Sequence, residues 1–208
     1  MILTGVWLAL LDAIFLVPMW THDAAAGDWL IRYTVRLALL FYAVAVLLML
    51  WPRRDDGAVR LLARDAWSLA WLAYLVHLVF AMKFAHHWSH AEAVRHTQER
   101  SGFGAGIWFS HFFTLVWTLD VGWWWLSPVS YARRPAWISW PLHAYMAFII
   151  FCGTVVYETG FIRWAGVVMF ALLSAAVLYR VLAGRNQKCA ASLGEGPSPS
   201  AVRLDADS

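Results

Sequence analysis

The chain has 208 residues, of which 62% are hydrophobic and only 14% charged, with a formal net charge of +3. Its mean hydropathy is +0.58 and its pI about 9.1. Soluble domains run nearer roughly 45–50% apolar and about 25% charged, so this composition excludes a disordered chain, a disulfide scaffold and an ordinary soluble enzyme, and points to an integral membrane protein of one domain.

A window of about 19 residues finds six apolar segments: 2–20, 29–51, 66–86, 105–126, 137–157 and 161–183. Each is close to the ~20 residues that cross ~30 Å of hydrocarbon. They are apolar on both parities, which a membrane β-strand is not, so helices are expected. The predicted fold class is all-α: a polytopic bundle of six transmembrane helices over residues 1–183. The first segment competes with a signal-peptide reading, because Ala24-Ala25-Ala26-Gly27 offers a cleavage site. It has no basic n-region and carries Asp12 mid-run, which favours a retained span. Residues 184–208, rich in Gly, Ser, Pro and Ala, read as a disordered cytoplasmic tail. Cys152 lies in an apolar run and Cys189 in that tail, so no disulfide is expected.

Loop charge sets the orientation. Arg53, Arg54, Arg60, Arg64, Arg133, Arg134, Arg180, Arg185, Lys188 and Arg203 fall on one side of the six-span scheme. Arg32, Arg36, Lys83, Arg95, Arg100 and Arg163 fall on the other. The positive-inside rule puts both termini in the cytoplasm, which implies a multi-pass protein of the cell (inner) membrane. The basic residues form no continuous stripe, so nucleic acid is not an expected partner. The expected partners are the lipid bilayer and either a membrane protein or a second copy of the chain.

Ionisable groups within spans are costly and usually find partners inside the bundle. At 1.5 Å per residue, Asp12 and Arg36 lie roughly 12 and 10 Å below the outer ends of their spans, an easy ion pair. Asp120 and His143 lie roughly 9 Å above the inner ends of theirs, a second candidate pair. Each pair serves either as a packing lock or as part of a proton path.

The eight histidines are unevenly placed. His22, His86, His87, His90 and His96 fall in outer loops or at their edges, and His111 in the outer third of the fourth span. His77 is mid-span and only His143 lies on the cytoplasmic side. His86, His87, His90 and His96, with Glu92 and Glu99, are candidate ligands for a transition metal; a solvated or pH-sensitive surface is the alternative. Ser89 and Glu92 match a capping box, which would end the third span near Trp88 and start a short helix after Ser89. Gly102-Phe103-Gly104-Ala105-Gly106 reads as a helix break. Ala66, Ala70, Ala73, His77, Ala81 and Ala85 form a stripe of small residues that lets a helix or a flat cofactor approach. The fourth span carries a similar stripe: Gly104, His111, Thr114, Thr118 and Gly122.

His77 and His111 are candidate axial ligands of one haem b. On those two histidines the chain loosely resembles four-helix b-type cytochromes and ferric-reductase-like membrane domains, and the resemblance implies a redox role. His86 to His90 also spells HHxxH, the reverse of one box of membrane di-metal hydroxylases, whose other boxes are missing. Three functional expectations follow. The first is a membrane redox or metal/haem-binding protein using the outer histidines. The second is a non-catalytic membrane subunit or scaffold. The third is a small proton-coupled transporter, for which Asp12, Asp120 and His143 are the motive.

Overall fold

The computed structural model describes residues 2–21, 26–51 and 57–194. They are helical, with no strand among them: α1 (Ile2–Thr21), α2 (Ala26–Leu50), α3 (Gly57–Phe80), α4 (His90–Ser101), α5 (Ile107–Leu126), α6 (Pro128–Ala132), α7 (Ala136–Phe151) and α8 (Gly160–Gly194). π-helical turns, Ala81–Ala85 and Cys152–Val156, close α3 and α7.

Four helical stretches are long and apolar enough to cross a membrane: Ala26–Leu50, Gly57–Ala85, Ala136–Val156 and Gly160–Arg185. The chain is therefore a membrane protein by the length and composition of its helices. The apolar part of α1, Ile2–Pro18, is shorter. The other expected span, α5, has twenty residues and thus roughly 30 Å of rise, but it carries His111, Asp120 and five tryptophans and is not among the four.

Two boundaries differ from expectation. α3 begins at Gly57, nine residues before Ala66. The added turns hold Arg60, Arg64 and Asp65, whose charge hides a helix from a hydropathy window without weakening it, since Arg, Leu and Ala are good helix formers. Residues 184–194, expected as disordered tail, continue α8. Extending an existing helix fixes one residue per hydrogen bond gained, so a polar, alanine-containing run propagates without a hydrophobic face. Residues 195–208, the loop arginines Arg53 and Arg54, and His22 lie outside the described residues.

The core is built on α2 and α3. Thr34, Leu37, Ala38, Phe41, Tyr42 and Ala45 make one buried stripe on α2. Ala66, Ala70 and Ala73 of α3 are fully buried against it. The small stripe thus admits a neighbouring helix, one of its two expected uses, and close backbone approach is what packs helices where hydrocarbon gives no hydrophobic drive.

α3 and α5 are held by three successive side-chain bonds. Trp67 Nε1 donates to Asp120 Oδ2 at 2.9 Å, and Trp71 Nε1 donates to Thr118 Oγ1 at 3.0 Å. Tyr74 Oη lies 2.9 Å from Thr114 Oγ1. As the α3 numbers rise the α5 numbers fall, so the helices are antiparallel and the threonines of the α5 stripe face α3. Trp67, Trp117, Tyr42, Tyr74 and Phe113 fill the space between with edge-on and stacked rings. The helices α1 and α8 are tied to α2 as well. Trp29 Nε1 reaches the Ile14 carbonyl of α1 (3.2 Å), and Arg180 of α8 donates to the Met49 carbonyl (2.8 Å). Gly166 of α8 sits so close to the π-helical turn after α7 that an added Cβ would lie 2.9 Å from Thr154 Oγ1.

Candidate functional site

The bundle has two polar ends. One is capped by α6 and the other by α4.

At the α6 end, Asp120 is the buried charge. Its side chain has no exposure, and Arg134 beside it retains 6%. Arg134 Nη1 bonds Asp120 Oδ1. Oδ2 accepts from Trp67 Nε1 and, at 3.0 Å, from Tyr131 Oη. Three donors, from α3 and from the stretch after α5, thus converge on one carboxylate, which is how a buried charge is made tolerable.

Local sequence explains the convergence. Ser127 breaks the helix with φ −144° and ψ 68°, and Pro128 opens α6 at a position where its missing N–H costs nothing. α6 is a five-residue helix, and after it Pro135 starts α7. The chain therefore turns back on itself within ten residues, bringing Tyr131 and Arg134 over the end of α5. Tyr131 is clamped between Trp124 (ring centroids 4.4 Å, 9° between planes) and the Arg134 guanidinium (4.3 Å). Burial, and then the negative charge of Asp120, push the Tyr131 phenol well above its ordinary value, so it remains a protonated donor.

Arg134 spends its other nitrogens as well. Nε donates to Ser139 Oγ (2.9 Å) and Nη2 donates to His143 Nε2 (3.4 Å). Since Arg has no acceptor, this bond requires an unprotonated Nε2 on His143. Asp120 and His143 thus share a cluster as expected from their depth, but they do not pair directly: the guanidinium stands between them, and His143 meets Trp67 edge-on (5.6 Å).

The other expected ion pair is not formed. Asp12 is exposed on α1, and Arg36 lies over the Tyr33 ring at 4.5 Å with its Nε buried and unpartnered. Depth arithmetic matched the two residues along the membrane normal, but it carries no information about which way each helix face points.

At the α4 end, the expected cap is present. Ser89 Oγ accepts from the Glu92 backbone N–H (3.3 Å), α4 begins at His90, and Gly102 ends it at φ +73°. His87 and Trp88, at φ +48° and +59°, make the link from α3. Each is a left-handed conformation costing about 1–2 kcal/mol for a residue with a Cβ. This link separates the histidines. His86 faces His96 (ring centroids 5.3 Å, 71°), whereas His90 stacks on His111 (5.5 Å, 22°) beside Trp108.

The expected four-histidine metal set of His86, His87, His90 and His96 is therefore corrected to two separate imidazole pairs with His87 exposed between them. Among the described residues no three His, Cys, Asp or Glu side chains are placed to hold a metal ion. Glu92 and Glu99 are turned to Arg95 instead (2.6 and 2.5 Å).

The expected haem pair is not brought together either. His77 Nδ1 lies 2.9 Å from the Ile31 carbonyl and so faces α2, while His111 is exposed against α4. Sequence placed both on small-residue stripes of neighbouring helices; the stripes face different partners.

Beside the Asp120 cluster lies an open cleft of ≈ 580 Å³, lined by Trp123, Ser127, Val129, Ser130, Arg133, Arg134, Pro135 and Ile138. No protein-family model, curated protein or solved structure matches the chain.

Proposed function

We propose that the chain is a six-span protein of the cell (inner) membrane with both termini in the cytoplasm, acting as a non-catalytic subunit or scaffold of a membrane assembly. The observation that carries this reading is the occupancy of Asp120. Its carboxylate is consumed by Trp67, Tyr131 and Arg134, and Arg134 is itself shared with Ser139 and His143. That is the arrangement of a packing lock. Placing α1 and α5 as spans puts Arg64, Arg133, Arg134 and Arg180 at one face and agrees with the loop-charge bias.

The test is crosslinking in native membranes followed by sizing. A discrete complex larger than the monomer is expected. A monomer throughout, in membranes where the protein is active, overturns the subunit reading. Reporter fusions in each predicted loop test the six spans. A periplasmic-type signal from a fusion at either terminus would overturn the orientation.

A second reading is favoured by one contact, Arg134 to His143. Arg134 keeps its charge and relays no proton, but the unprotonated Nε2 of His143 beside it could take one up next to the cleft that Arg134 lines. A proton-coupled carrier would then show pH-dependent uptake altered by His143→Gln at unchanged protein level. Uptake that ignores the substitution removes this reading.

A further inference from the structure

We propose that the cleft at the α6 end binds the headgroup phosphate of an anionic phospholipid, with Arg133 as its cation. Six of its lining residues divide by chemistry. Trp123 and Ile138 make an apolar wall, while Ser127, Ser130, Arg133 and Arg134 make a polar one.

The two arginines are not equivalent. Arg134 is neutralised by Asp120 and nearly buried. Arg133 is exposed, and it forms no ion pair with any described residue. No carboxylate lines the cleft, so the polar wall carries one uncompensated positive charge. Ser130 Oγ accepts from Trp123 Nε1 at 3.3 Å, which leaves its own hydroxyl proton to donate outward. A guanidinium with adjacent hydroxyl donors suits a phosphate.

Position decides between a lipid and a free anion. The cleft sits where α5 ends and α7 begins. On the first turns of α7, Trp137 and Trp140 are 75% and 65% exposed, as rings at the headgroup level are. A phosphate on Arg133 would leave the rest of an amphiphile to run along Ile138 and Trp123 toward the bilayer. Basic pockets at helix ends on the cytoplasmic side take anionic headgroups in this way. The proposal rests on the six-span reading only for which leaflet supplies the lipid.

The experiment is native mass spectrometry of the full chain released from detergent, titrated with phosphatidylglycerol, phosphatidylcholine or inorganic phosphate. One phosphatidylglycerol per chain is expected to bind in preference to phosphatidylcholine. Arg133→Gln should weaken it about fivefold, the worth of one basic side chain at an anionic surface, with phosphatidylcholine binding and melting temperature unchanged. Equal binding of the two lipids, or an affinity indifferent to Arg133→Gln, overturns the proposal. Competition by inorganic phosphate at the same concentration as the lipid would make this a free-anion site and overturn the lipid assignment. These outcomes are read on the isolated chain, so they are distinguishable from the crosslinking result.

Discussion

The two polar ends of the bundle obey opposite rules. At the α6 end unlike charges meet in burial, and every heteroatom of Asp120 is taken. At the α4 end like groups meet near the surface: imidazole faces imidazole twice, and His86 Nδ1 is buried without a partner. The first end is built to be insensitive to its surroundings. The second holds His86 partly buried against another imidazole, a setting that resists its protonation. A dense run of histidines in a sequence therefore marks a place where charge can change, and only their pairing decides whether a ligand is involved.

The largest expected effect comes from breaking the insensitive end. Asp120→Ala leaves Arg134 charged and buried without its counter-ion, and about 3–5 kcal/mol of stability should be lost, seen as a lower melting temperature in detergent. The joint replacement Asp120→Leu with Arg134→Met should recover most of that loss. A double variant as unstable as Asp120→Ala would show that the cluster does more than cancel its own desolvation.

Next is the contact of α8 with the π-helical turn Cys152–Val156. Gly166→Ala would place its Cβ at 2.9 Å from Thr154 Oγ1 and 3.0 Å from Thr154 Cβ. Overpacking of this kind costs about 1–3 kcal/mol. By contrast Gly122, with nothing within 4 Å, should accept alanine freely. Equal melting temperatures for the two variants would refute the close approach.

The third prediction concerns pH. Burial, then His96, push His86 below the ordinary histidine value of 6.5, with Glu92 opposing and His87 assisting. Below 6.5 the unfolded chain takes up a proton that folded His86 resists, so unfolding binds protons and stability falls as pH drops. The contribution is full above 6.5 and is lost as pH falls from there toward the lower folded value. His86→Gln should flatten the melting temperature between pH 7 and 5. An unchanged slope would mean that another group titrates there.

The smallest effect is expected for Arg95→Gln. Its bonds to Glu92 and Glu99 are exposed, and exposed pairs of this type contribute little. No measurable change in melting temperature is the expected outcome.

Which features were legible follows from what each requires. The Ser89 cap and the Gly102 break are local, set within four residues of chain, and residue type alone announces them. The alanine stripe of α3 has a period, so its burial could be read, although its partner could not. Asp120 was visible as a buried charge needing company. Its true partner was hidden because Arg134 lies in a loop by hydropathy, and only the fold-back through Pro128 and Pro135 carries it inward. A signal did exist: a proline on each side of a short aromatic and basic stretch predicts a tight reversal. The indole donors Trp67 and Trp71 give no signal in a hydropathy window, which counts the ring and not the N–H. For His77 and His111, the stripes name the helices but not the direction in which each ring points. A sequence without an internal reference for helix rotation cannot supply it.

The three rungs joining Trp67, Trp71 and Tyr74 to Asp120, Thr118 and Thr114 have a mechanical consequence. They are spaced along nearly two turns, so an axial slip of α5 by one residue misaligns all of them together. The pair α3–α5 is thereby locked against piston motion, because α5 can shift along α3 only by breaking all three bonds at once.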